Sequence, residues 1–541
     1  MIITDIETNG LLDTVSKFHC AFIYDTQLEE YIGFRPEDFE AYLHCLMSSA
    51  ENDELIVFHN GIKYDIPALE ILAKQRGIDF KIPQENVLDT LVLARLIYSN
   101  IKESDMGRVR SGKITGKMIG SQSLETWGYR LGEMKGEYKY DFKKRLEEEG
   151  ETYESGMEWL NFNEEMYDYC KQDVKVTYEL TKKLLEHKWY NPTEKDGEWL
   201  LIDAHKFWES RIHAVKLEHE AAWLMAKQER NGFPFDKDSM IRVYTELAAK
   251  RTELLKELQE TFGSWYRPKG GTDYFRHPVT GKELPKYPKV KYPKSGSLFL
   301  KPRNKAQREG KEPLERSKTP YIKDCPYTPV EHVTFNPSSR EHIALKLQEA
   351  GWQPTEFTSN GTPIVNDEVL KTIKVDDTQK QKCIDLIATY LMVQKRIGQI
   401  AEGTQSWLNS VKEDSKIHGS INPNGAVTGR CTHSYPNLAQ IPSVSMDKEG
   451  FIFGLEGGYG TECRMAFGAE HHEGWVQAGV DASGLELRCL GHFMSTYDNG
   501  EYIEEILNGD IHTKNQLAAG LPTRNNSKRF IYGFLKFTVL K

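Results

Sequence analysis

The chain has no two cysteines at CxxC spacing. Its eight cysteines, Cys20, Cys45, Cys170, Cys325, Cys383, Cys431, Cys463 and Cys489, are scattered over 541 residues. That argues against a zinc ribbon and a disulfide framework, and suits a reducing compartment. No stretch approaches the roughly 20 apolar residues that a membrane-crossing helix needs. The opening Met1-Ile2-Ile3-Thr4-Asp5 is strand-like and acidic, unlike a signal or transit peptide. Internal repeats are lacking, and so is a basic excess: 70 Lys and Arg face 80 Asp and Glu, a net charge of −10.

The charge is unevenly spread. Arg267–Asp324 holds 16 basic and 6 acidic residues, a local +10 in a chain that is otherwise −20, together with 8 of the 22 prolines. Such a stretch cannot be helix interior and lacks the apolar density of a core. It reads either as a solvated loop or as a contact for a polyanion or an acidic partner. At 541 residues, three or four domains are expected. The first 188 residues alternate apolar strand-like runs (Ile2–Ile6, Leu55–His59) with amphipathic helices, the last over Asn163–His187, an α/β pattern. A helical period follows from Leu201 to Phe262, broken at Asn231-Gly232-Phe233-Pro234, and resumes at Ser338–Ala350 and Thr378–Glu402. After Lys416 come short strands and turns, with a strand expected over Trp475–Val480.

Asp5 and Glu7 stand two apart on the first strand and so share a face. Two carboxylates that close stay ionised only with positive charge between them, and a divalent metal is the usual source. Asp65 follows the strand Leu55–Phe58. Tyr169 and Asp173, at i and i+4, share a face of the helix Asn163–His187. Carboxylates are the ligands that Mg²⁺ takes, and two ions about 4 Å apart can clamp the attacking and leaving oxygens of a displacement at phosphorus. Taken singly, each motif is more often a solvated strand end or helix face.

In order and placement these segments resemble the three motifs of the DnaQ-like (DEDDy) 3′–5′ proofreading exonucleases. The resemblance implies an RNase H-like α/β domain over 1–188 with Asp5, Glu7, Asp65, Tyr169 and Asp173 as its active site. Asp5, Glu7, Asp65 and Asp173 would hold Mg²⁺, two ions to the site, with Mn²⁺ as the alternative. Asn60 and Tyr64 of the second motif would support the site or touch the DNA strand, and Asp89-Thr90 would be structural.

The run Val476–Asp481, continued by Ala482-Ser483-Gly484-Leu485-Glu486-Leu487-Arg488, resembles motif A of family A DNA polymerases, the DNA polymerase I type. There Asp481 would hold catalytic metal and Glu486 would lie under the sugar. Thr428-Gly429-Arg430 and Pro436–Pro442 resemble palm segments that touch primer–template DNA, which makes Arg430, Asn437 and Gln440 DNA-binding. His512 would meet a phosphate. Arg524, Lys528 and Tyr532 form one helical stripe like motif B, binding the nucleotide.

The likeness is greatest to the replicative polymerases of T-seven-type podophages. It implies a linker and helical thumb over 189–417, a basic insertion over 263–332 that docks host thioredoxin, a partial α+β palm over 418–485 and partial fingers over 486–541. It also admits a replicative helicase or primase as partner, and places the protein in the host cell cytoplasm. The resemblance departs after Phe534-Leu535, and no His-Asp-Glu motif C follows motif A. The expectation is a complete exonuclease site and an incomplete polymerase site. A frameshift, an intervening element and a split gene completed by a second chain remain open as reasons, as does a non-catalytic remnant that binds DNA and thioredoxin.

Overall fold

The computed structural model describes residues 1–136, 138–187, 213–268, 272–276, 283–288, 305–309, 311, 330–358, 361, 363–365, 369–370, 373 and 377–538. Its compact units are Met1–His471 and His472–Lys541.

The first unit opens with β1 (Ile2–Thr8), β2 (Phe18–Asp25), β3 (Glu30–Phe34), α1 (Phe39–Glu51), β4 (Ile56–Phe58), α2 (Asp65–Gln75), β5 (Val87–Asp89) and α3 (Thr90–Ile97). The strands form one sheet in the order β3-β2-β1-β4-β5. β1 runs antiparallel to β2, with Asp5 opposite Phe22, and parallel to β4, with Ile3 opposite Val57.

A central strand must be apolar on both faces, and β1 is. Ile2 and Ile6 pack among Leu43 and Leu46 of α1 and Leu69 of α2, while Ile3 packs with Val57 and Val174 on the other side. Each such fully buried aliphatic side chain contributes roughly 1.5–3 kcal/mol before entropy is counted. The odd-numbered face of β1 therefore meets α7 (Glu164–Leu185), which lies against β1 and β2. α7 begins where Asn163 Oδ1 accepts the Met166 amide at 2.8 Å. Between the sheet and α7 in sequence come α4 (Ile101–Arg110), α5 (Leu124–Leu131) and α6 (Tyr138–Glu148).

A second core lies further along the same unit. Helix Lys237–Phe262 packs on helix Thr378–Ile397 around Leu247, Leu254, Ile387, Val393 and Tyr459. The latter helix continues as one π-helical turn over Gly398–Glu402. Strand Ser264–Pro268 pairs antiparallel with Val330–Thr334, so the two ends of the basic insertion meet. Within it a hairpin joins Thr272–Arg276 to Glu283–Pro288, and most of the remaining insertion lies outside the described residues.

The second unit carries helices Leu485–Asp498, Glu501–Asn508, Ile511–Ala518 and Arg524–Thr538. The strand expected over Trp475–Val480 does not form: the segment is irregular, with Val476 90% and Val480 97% exposed. A strand needs a ladder partner, and among the described residues none pairs with it.

Candidate active site

Asp5 and Glu7 lie side by side on the odd face of β1, half-buried, with a register irregularity between Glu7 and Thr8. α7 brings Tyr169 and the buried Asp173 against them, and Asp65 stands at the first position of α2, also buried. Five residues from three segments far apart in sequence thus line one cavity of about 1130 Å³.

The loop between β4 and α2 is shaped by a neighbouring strand. The Asp89 carboxylate accepts the amides of Asn60 at 2.9 Å, Ile62 at 3.2 Å and Leu91 at 2.9 Å. Asn60 takes a left-handed φ of 72°. Gly61 is required, because a Cβ there would lie 2.3 Å from Phe58 Cβ. The Tyr64 hydroxyl contacts Thr8 Oγ1 at 2.5 Å and also bonds the Gly10 carbonyl, so it fastens this loop to the end of β1. Asp89 thus holds the Asn60 end of this loop, and Tyr64 ties the other end to β1.

The carboxyl groups feel one another. Burial first, then Asp173 and Asp65, push Asp5 well above the usual carboxylate range, and burial, Asp5 and Asp173 do the same to Glu7. Burial lifts Asp65 to about 7, against the pull of its own amide, and Asp173 to about 6, against the pull of Lys135. Burial also raises the Tyr169 phenol, which stays protonated and able to donate.

Lys135 was not singled out by the sequence. Its ammonium is ion-paired with Asp173 Oδ2 and lies 4.7 Å from the Tyr169 ring centroid. A lysine between Met134 and Gly136 in an inter-helix loop carries no local sign of this; only the packing of that loop on α7 places it.

The site's residues fit a hard divalent cation. Asp173 Oδ1 is buried with no hydrogen-bond partner. Asp5, Glu7 and Cys170 offer atoms within 4.8 Å of one another. The Cys170 thiol is pushed up by burial and sits 3.5 Å from the Asp5 carbonyl, so it is a packing group and the donor set is oxygen. The same cavity is lined by Arg95, Lys139 and Lys143 and by Tyr129, Tyr138 and Trp159, cations and aromatics of the kind that hold single-stranded nucleic acid.

The remaining expected site residues lie elsewhere. In the first unit, Arg430 is exposed at a tight turn in which its carbonyl accepts the Ala426 amide at 3.0 Å. Asn437 caps the turn Leu438–Gln440 by accepting the Ala439 amide at 3.1 Å. Asn437 and Gln440 line a cavity of about 330 Å³ with Lys395, Gln399 and Trp407. In the second unit, Asp481 is exposed on the irregular segment and Glu486 is exposed in the first turn of Leu485–Asp498. Helix packing brings His512, Arg524 and Lys528 together: both cations lower the buried His512 ring, after burial itself. Arg524 is held by Asp510, Nε to Oδ2 at 2.9 Å and Nη2 to Oδ1 at 3.0 Å. Lys528 is exposed, and Tyr532 lies on the same helix with its side chain outside the described residues.

Comparison with known proteins places this chain. The model of DNA polymerase family A matches residues 317–535. The POL domain of Pol1 from M. smegmatis, solved in complex with DNA primer–template and dNTP, shares the fold at a TM-score of 0.52 and 14% identity, over 98% of this chain and 67% of that one. The fold is thus that of a DNA polymerase. The DNA-directed DNA polymerases of Escherichia phage T7 and Enterobacteria phage T3 are each 62% identical to it, over 99% of this chain and 75% of theirs. The chain belongs to DNA polymerase family A, among the phage DNA-directed DNA polymerases.

Proposed function

We infer that residues 1–188 of this polymerase form a metal-dependent 3′–5′ exonuclease of RNase H-like architecture. The observation that carries the reading is the convergence of Asp5 and Glu7 from β1 with Tyr169 and Asp173 from α7, beside the buried Asp65. The sheet order β3-β2-β1-β4-β5, with β1 at its centre, supports it. Asp5, Glu7, Asp65 and Asp173 would hold Mg²⁺ or Mn²⁺, which when bound would supply positive charge beside the phosphate under attack. The Tyr169 hydroxyl orients the attacking water by donating to it. The aromatic and cationic walls of the cavity grip the last nucleotides of the strand.

For the polymerase reaction, Asp481 would hold metal, and Glu486, His512, Arg524, Lys528 and Tyr532 would bind the nucleotide. Arg524 must then leave Asp510 to reach a triphosphate. Arg430, Asn437 and Gln440 contact primer–template DNA. The insertion 263–332, with its excess of positive charge and its ends pinned together, docks thioredoxin over duplex DNA.

The test is the purified chain with Mg²⁺ and a 5′-labelled primer–template. Shortening from the 3′ end that stops in EDTA is expected. No shortening overturns the exonuclease assignment.

A further inference from the structure

We propose that Lys135 is a tethered cation that competes with the divalent metal for Asp173. The proposal rests on the metal-dependent exonuclease reading above.

The Lys135 ammonium already occupies half of the Asp173 carboxylate: Oδ2 is ion-paired to it, while Oδ1 is buried without a partner. The Asp173 side chain is 3% exposed and that of Lys135 20%, so water does little of the screening. Asp5 and the Tyr169 ring face the same ammonium. In this cluster it is the cation that lies in contact with a carboxylate, where a nuclease site needs a metal ion.

The placement is built by several contacts. Gln172, one residue before Asp173, donates its side-chain amide to Glu133 Oε1 at 3.0 Å and to the Met134 carbonyl at 2.9 Å. Lys175 Nζ pairs with Glu133 at 2.7 Å. Gly128 lets the loop lie close, since a Cβ there would come within 2.7 Å of the Glu133 carbonyl oxygen. α7 thus fixes the loop from the residues next to its own carboxylate, which aims Lys135 back at Asp173.

An ammonium carries one charge on three hydrogen-bond donors, so it neutralises less of the carboxylate cluster than a divalent ion does. A metal bound at Asp173 sets +2 against +1 at contact distance, so the ammonium must withdraw. Its flexible stem allows this, into the cavity that Lys135 itself lines. Metal affinity is therefore lower than the carboxylates alone would give, and the metal-free site is kept assembled.

The experiment is a Mn²⁺ titration of the full chain followed by electron paramagnetic resonance of the free ion. The samples are wild type, Lys135→Met, Lys135→Arg, Gln172→Ala and the Asp5→Ala/Glu7→Ala double variant. Lys135→Met should bind Mn²⁺ about tenfold more tightly, the scale on which groups beside a metal move its affinity. Gln172→Ala should shift the same way as the loop loosens, and Lys135→Arg should stay near wild type. Unchanged or weaker binding in Lys135→Met overturns the competition alone. If that variant does not fold, Gln172→Ala decides by the same criterion. No Mn²⁺ bound by wild type, or binding undiminished in the double variant, overturns the metal reading and the competition with it.

Discussion

The Asp89 carboxylate accepts the Asn60 amide at 2.9 Å across two parallel strands, and through that bond the end of β5 sets the path of the loop leading to Asp65. Asp89 is 2% exposed and satisfies two further amides. Asp89→Ala strands three amide donors, one buried and two partly buried, and removes the cap of α3. It should cost about 3–5 kcal/mol and weaken Mn²⁺ binding, measured by thermal unfolding and by metal titration. Loss of stability with metal affinity intact would remove Asp89 from any part in shaping the site.

Asp65 makes the metal-free protein sensitive to pH. Its folded value of about 7 lies above the ordinary carboxylate value, so the folded state holds this proton more tightly than the unfolded state. Stability then falls as pH rises from about 4 to about 7. In EDTA, Asp65→Asn should be more stable than wild type at pH 8, by roughly 1–3 kcal/mol, and equal to it near pH 4. Saturating Mg²⁺ should erase the difference. A wild-type protein that gains stability over that interval relative to Asp65→Asn would reverse the sign.

A buried ion pair holds one wall of the cavity. Arg130 bonds Asp105 through Nη2 at 2.8 Å and Nε at 3.1 Å, with side chains 1% and 0% exposed, and Arg130 Nη2 also donates to the Ser121 carbonyl at 2.6 Å. Arg130→Met leaves Asp105 buried and short of partners, and should cost about 3–5 kcal/mol by thermal unfolding. The exposed pair Lys144–Glu148 is the control, and Lys144→Ala should change stability by less than about 0.5 kcal/mol.

Tyr169 separates packing from chemistry. Its ring lies 5.6 Å from that of Tyr138 and 6.2 Å from that of Trp159, contacts that Tyr169→Phe retains. The variant should unfold within about 1 kcal/mol of wild type and yet remove 3′ nucleotides roughly 10²-fold more slowly in single turnover. A rate equal to wild type would assign the residue to packing only.

The parts of the site legible in sequence were those fixed by local periodicity. A strand's period of two put Asp5 and Glu7 on one face, and a helix's i, i+4 spacing did the same for Tyr169 and Asp173. Lys135 was not legible, because its approach depends on Gln172 and Gly128, residues whose effect exists only once α5 and α7 have packed. Trp475–Val480 was misread for a related reason. Alternation of side chains states which residues would share a face of a strand, but the ladder needs a neighbour that the segment itself does not encode. The resemblance to DNA polymerases was carried by longer runs, such as Pro436–Pro442 and Val476–Arg488, whose combination is far more specific than any one carboxylate.

The most direct measurement is the single-turnover rate of 3′-nucleotide removal from a single-stranded DNA oligonucleotide in Mg²⁺, compared between wild type and Asp5→Ala/Glu7→Ala at matched stability. Removal by wild type and its loss to background in the double variant is the expected result. A double variant that digests the strand at the wild-type rate would contradict a nuclease site built on Asp5 and Glu7.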